Sequence, residues 1–111
     1  MKKDKYKTEV IFRQFKDDNS IIALFPYEIE TFCGLINSYM HIGQHGTADI
    51  AIIYDTKPVS VFKIQEAYDL YNELTNDVGY DLIVKKKISY RTWSNKLTEF
   101  RKKYNEQRNN V

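Results

Sequence analysis

The chain has 111 residues, 42% hydrophobic and 14% aromatic, with 17 Lys and Arg against 15 Asp and Glu for a formal net charge of +2. That length carries one core and one domain over residues 1–111, and that apolar content excludes a disordered polypeptide. No run of the roughly 18–20 apolar residues of a membrane span occurs, the start MKKDKYKTEVIF has no signal-peptide core, and the single Cys33 excludes an internal disulfide, so the expectation is a soluble cytoplasmic protein.

In chain order, residues 7–15 (KTEVIFRQF) are rich in β-branched and aromatic side chains. Asp17, Asp18, Asn19 and Ser20 then supply turn formers before the apolar residues 21–25, predicting a β-hairpin whose second strand Pro26 ends. Residues 27–32 are open between a loop and one helical turn. Residues 35–42 predict a third strand and residues 49–55 a fourth, joined through residues 43–46 in a meander. After Thr56, Lys57 and Pro58 break that strand, Ser60 is a candidate N-cap for a helix of about four turns ending at Asn76 or Asp77. Ile64, Ala67, Tyr68, Tyr71 and Leu74 share one helix face, and Glu66, Asp69, Glu73 and Asp77 another. Val78 and Gly79 stop the helix. Residues 80–88 (YDLIVKKKI) predict a fifth strand, and residues 90–107 a basic helix with a seam of Trp93, Leu97, Phe100 and Tyr104. The predicted class is α+β: a small antiparallel sheet of four to five strands, one packed amphipathic helix, and a basic C-terminal helix and tail over residues 89–111.

The small net charge conceals three blocks. Residues 1–16 carry six Lys/Arg against two acids, residues 17–80 two against ten, and residues 81–111 nine against three. Segregation of this kind favours charged partners.

The stretch SYMHIGQHG, residues 38–46, sets His41 and His45 four apart, with Cys33 and Asp49 nearby in sequence. An i, i+4 histidine pair on a helix can grip a metal ion, but Gly43 and Gly46 argue against a helix and no glutamate completes an HExxH pattern. The stretch therefore predicts a glycine-assisted turn or a contact surface formed by His41, Gln44 and His45, with no metal and no cofactor; a metal-dependent enzyme at His41 and His45 is the third reading. No GxSxG, GxGxxG or P-loop occurs, so an enzyme is not expected. Lys85, Lys86, Lys87, Arg91, Lys96, Arg101, Lys102 and Lys103, interleaved with Tyr90, Trp93, Phe100 and Tyr104, form the candidate nucleic-acid surface, cations for phosphates and rings for bases. The competing reading places those rings on the buried side of a helix. Glu66, Asp69, Glu73 and Asp77 repel one another at spacings of three and four, at about 0.2–0.5 kcal/mol per pair. They form either a row offered to a basic surface or a solvated face.

Residues 8–13 (TEVIFR), the SYMHIGQHG stretch, Thr56-Lys57-Pro58 and Gly79-Tyr80-Asp81-Leu82 together resemble a group of small bacterial and phage or mobile-element proteins with no assigned activity, over about residues 8–87. The basic helix lies outside this likeness. Small proteins of such provenance, without catalytic motifs and with strong charge blocks, are often counter-defence inhibitors of the anti-CRISPR type. The expected function is therefore a non-enzymatic binding or inhibitory protein acting through protein contacts, as monomer or homodimer and without membrane. A small RNA- or DNA-binding protein, or one engaging a ribonucleoprotein, is the alternative.

Overall fold

The computed structural model describes residues 6–40, 44–78 and 80–109. Strands β1 (Tyr6–Phe15) and β2 (Ile21–Ile29) form the expected hairpin, with Ile11 opposite Leu24 and Gln14 opposite Ile21. At its turn Asn19 takes φ 63°, a left-handed conformation that asparagine tolerates. Asp18 Oδ1 accepts from the Ser20 backbone N–H at 2.9 Å and the Ser20 hydroxyl at 2.7 Å. β2 does not stop at Pro26 but runs on to Ile29, its register with β3 (Ile36–Tyr39) shifting between Phe25 and Ile29. A bulge is where a strand tolerates a residue without an N–H.

The fourth strand is displaced from its expected place. β4 covers His45–Ala48 and pairs β3 with Tyr39 opposite His45, whereas Ile50–Tyr54 forms a 3₁₀ segment. Asp49 causes the difference by accepting from the Ala51 N–H at 2.8 Å and so capping a helical turn. The apolar run IAIIY suits either structure, because short runs are not separated by periodicity. Thr56–Pro58, expected as a break, is a short edge strand, β5, antiparallel to the C-terminal end of β1. Pro58 is tolerated there because it sits on an edge.

A 3₁₀ turn (Val61–Lys63) leads into α1 (Ile64–Asn72), and a π-helical segment (Glu73–Val78) continues it, so helical structure spans the predicted stretch. Ser60 makes no side-chain cap; its backbone N–H donates instead to Oε1 of the fully buried Gln14 at 2.8 Å. Strand β6 (Tyr80–Val84) pairs parallel to the N-terminal half of β1, making the sheet mixed rather than purely antiparallel. Its order is β4-β3-β2-β1-β5, with β6 beside β5 along the same edge of β1. Helix α2 covers Tyr90–Asn109. The α+β class therefore holds. No helix among the described residues is long and apolar enough to cross a membrane.

Alternation along β1 and β2 gives the sheet two apolar faces. On one, Val10, Ile21, Ala23, Phe25 and Tyr39 pack under Leu70 and Leu74 of the α1–π unit. On the other, Ile22, Leu24, Ile36 and Ala48 are covered by Ile52 of the 3₁₀ segment and by Trp93 of α2. The helix is rotated from the expected setting: Leu70 is buried, whereas Ile64 and Tyr68 are exposed. At 100° per residue Leu70 and Leu74 lie about 40° apart, and Tyr68 about 120° from Leu74, so contact centred on the leucines turns Tyr68 to the flank.

Candidate functional site

Helix α1 rides over the sheet as a ridge with a hollow on each side. Toward β2 and β3, Glu66, Asp69, Leu70 and Glu73 face Ser20, Ile21, Met40 and Gln44 across a cleft of about 440 Å³. The expected protein-contact residues Glu66, Asp69, Glu73 and Gln44 are thus brought together, though Gln44 is more than twenty residues from the others in sequence. Each carboxylate has a donor that offsets part of the stripe's repulsion. Lys63 Nζ reaches Glu66 Oε1 at 2.8 Å, Gln65 Nε2 donates to Asp69 Oδ1 at 2.9 Å, and the Tyr39 hydroxyl donates to Glu73 Oε1 at 2.5 Å. The second oxygens of Glu66 and Asp69 have no protein donor among the described residues, so they remain open to a ligand's cations.

From the SYMHIGQHG stretch, Met40 and Gln44 line this cleft. Ser38 and Tyr39 close β3, His45 and Gly46 open β4, and the Met40 N–H donates to the Gln44 carbonyl at 3.1 Å. The His45 ring stands edge-on to Tyr39 at 4.6 Å, so this imidazole packs against the tyrosine that holds Glu73. Gly46 has no positive φ, and a Cβ there would meet only Ser38 Oγ at 3.6 Å, so neither strain nor space requires glycine at that position. His41 and Gly43, and the side chain of Asp77, lie outside the described residues. Cys33 is exposed in the loop before β3, and Asp49 spends an oxygen on the 3₁₀ segment. Among the described residues no three His, Cys, Asp or Glu side chains gather as a metal site.

The basic residues divide into two groups. On α2, the ring seam is the docking side. Trp93 Nε1 donates to the Gly34 carbonyl at 3.2 Å, Leu97 is buried, and Tyr104 meets Phe32 at 5.4 Å. Arg101 lies over the Phe32 ring at 5.0 Å and donates from Nε to the Phe32 carbonyl at 3.0 Å. Arg91, Lys96, Lys102 and Lys103 are exposed, Lys96 lying 3.8 Å from Glu99. Of the rings expected to interleave with cations on this helix, Trp93 and Tyr104 thus contact the loop before β3, whereas Tyr90 is exposed.

Lys85, Lys86 and Lys87 lie elsewhere. β6 ends at Val84, and the three lysines follow in a bend where a longer strand was expected. They line a groove of about 1040 Å³ on the other flank of α1, with Phe12, Val59, Ala67, Tyr68 and Tyr71. Tyr68 and Tyr71 are not in the expected set of contact residues; rotation of α1 puts them there, and periodicity alone assigned both to the core. Arg13 also borders the groove, but its guanidinium is bound to Thr56 Oγ1 at 3.0 Å, the Thr56 carbonyl at 2.8 Å and the Ile53 carbonyl at 3.2 Å. Desolvation holds its pKa below the ordinary arginine value, against the opposing effect of Tyr90. It serves as a clamp between the 3₁₀ segment and β5.

Comparison with known proteins finds no matching family model, no similar curated protein and no similar solved structure.

Proposed function

We propose that the protein is a small non-enzymatic binding or inhibitory protein acting in the cytoplasm. Its acidic cleft receives a basic segment of a partner protein, such as the wall of a nucleic-acid channel. The observation that carries this reading is convergence: Glu66, Asp69 and Glu73 line one cleft with Met40 and Gln44, and two of its carboxylate oxygens have no protein donor among the described residues. A partner's Lys or Arg side chains there gain charge-assisted hydrogen bonds, and Met40 and Leu70 supply apolar contact for the stems of those side chains.

The test is fluorescence anisotropy with a labelled Lys/Arg-rich peptide, comparing the wild type with Glu66→Gln/Asp69→Asn and with Gln44→Ala. Loss of two charge-assisted bonds at about 1.5 kcal/mol each predicts a Kd about a hundredfold higher in the double variant. Gln44→Ala, which leaves the charge unchanged, weakens binding less. Equal affinity in all three proteins, or no binding at low salt, overturns the reading.

A further inference from the structure

The second hollow, over the sheet edge, has a different chemistry. Lys85, Lys86 and Lys87 stand on one wall, and no carboxylate of the described residues lies within ion-pair distance of any of them. The facing wall is aromatic: Phe12 lies 6.5 Å from Tyr71, and Tyr71 lies 6.4 Å from Tyr68 with the last two rings inclined by 30°. These rings step from the sheet out to solvent, where Tyr68 is 59% exposed. Three adjacent cations with no carboxylate partner among the described residues, set beside an exposed ring, offer positive charge and a flat π face to a ligand of complementary charge and shape.

We infer that this groove is a binding site for single-stranded nucleic acid, with phosphates on Lys85, Lys86 and Lys87 and a base stacked on Tyr68. Single-stranded nucleic acid carries an anion and a flat π face in every repeat unit, which is the pairing the two walls offer. An acidic peptide satisfies the lysines but brings no regular ring for the tyrosines. The bend after Val84 matters to the geometry, because continuing β6 would alternate the lysines across the two sheet faces, whereas all three line the groove. Arg13 borders the groove with its Nε and Nη2 committed to Thr56 and Ile53, so its guanidinium is held in place as part of the rim. This site is independent of the acidic cleft.

The experiment is anisotropy with a labelled oligo-dT of about ten nucleotides, a length that spans such a site. It is measured over a salt series starting near 50 mM. Wild type is compared with Tyr68→Ala, with Lys85→Gln/Lys86→Gln/Lys87→Gln, and with Arg101→Gln/Lys102→Gln/Lys103→Gln on α2. All the substituted side chains are solvent-exposed, with Tyr68 beside the Tyr71 ring and Arg101 on Phe32, and far-UV circular dichroism verifies that each variant folds. The expected result is a Kd raised about tenfold by Tyr68→Ala, as loss of one stacked base requires. The groove triple variant raises it further and flattens the slope of log K against log salt by about 2, the value for three phosphate contacts on a single strand. The α2 variant changes it little. The inference is overturned by no binding at low salt, by equal binding in the groove variants, by loss confined to the α2 variant, or by polyglutamate competing as well as unlabelled oligo-dT. Because the groove variants leave the acidic cleft intact, their basic-peptide affinity stays at wild-type level whichever way this test falls.

Discussion

At position 34 the backbone sits at φ +91°, and a Cβ would stand 2.7 Å from Cζ2 of Trp93 and 3.2 Å from Leu97. Glycine is required there for both conformation and space. Gly34→Ala is expected to cost about 1–3 kcal/mol and to shift the emission of Trp93, the only tryptophan in the chain; urea unfolding followed by that emission measures both. Asp18 carries a pH prediction. Hydrogen bonds from the Ser20 backbone N–H, and then from its hydroxyl, hold its carboxyl below the ordinary value of 3.8. A depressed pKa contributes stability that is present above the unfolded value and lost as pH falls through the folded one. The stability gap between wild type and Asp18→Asn is therefore level near neutrality and closes below pH 3.8. A gap that stays constant into strong acid contradicts the assignment. The sequence marks Asp18 and Asn19 as turn formers by residue type. Gly34 carries no such mark, because what it admits is a tryptophan 59 residues away.

Among the elements, α2 depends most on a few contacts. Its first half is anchored by Trp93 and Leu97 over the loop before β3, and every described side chain from Arg101 to Gln107 is exposed. Leu97→Ala is expected to destabilise the protein by about 2–3 kcal/mol, whereas Lys102→Ala/Lys103→Ala changes stability by about 0.5 kcal/mol or less. Denaturant titrations of the two variants make the comparison. The seam spacing of four, three and four residues is legible because a helix repeats every 3.6 residues. The β1–β2 hairpin is legible because its turn chemistry and alternation agree. Several elements depart from the sequence expectation for physical reasons. A capping aspartate turned an apolar run into a 3₁₀ segment, an edge position rescued a strand ending in proline, and a register shift against β3 carried β2 past Pro26. None of these causes is local in sequence except the cap. The helix α1 was legible in extent but not in rotation, since Leu70 competes with Tyr68 for the sheet and burial of the leucines decides it.

Across the whole molecule, α1 divides two hollows of opposite charge. The acidic and basic blocks of the sequence are separated along the chain, yet the fold places carboxylates on one flank of this helix and a lysine triad beyond the other. Linear charge segregation was visible in composition; that one helix serves as the shared wall was not, because parallel pairing of β6 with β1 is what carries the lysines there. The two hollows, as proposed, take partners of opposite charge at separate sites. The most direct measurement of this separation is an amide chemical-shift titration of the folded protein, once with the basic peptide and once with oligo-dT. The peptide is expected to shift Met40, Gln44, Glu66 and Asp69, and the oligonucleotide Tyr68, Tyr71, Lys85 and Lys86. Perturbation of one common set by both probes, or of neither set by either, contradicts it.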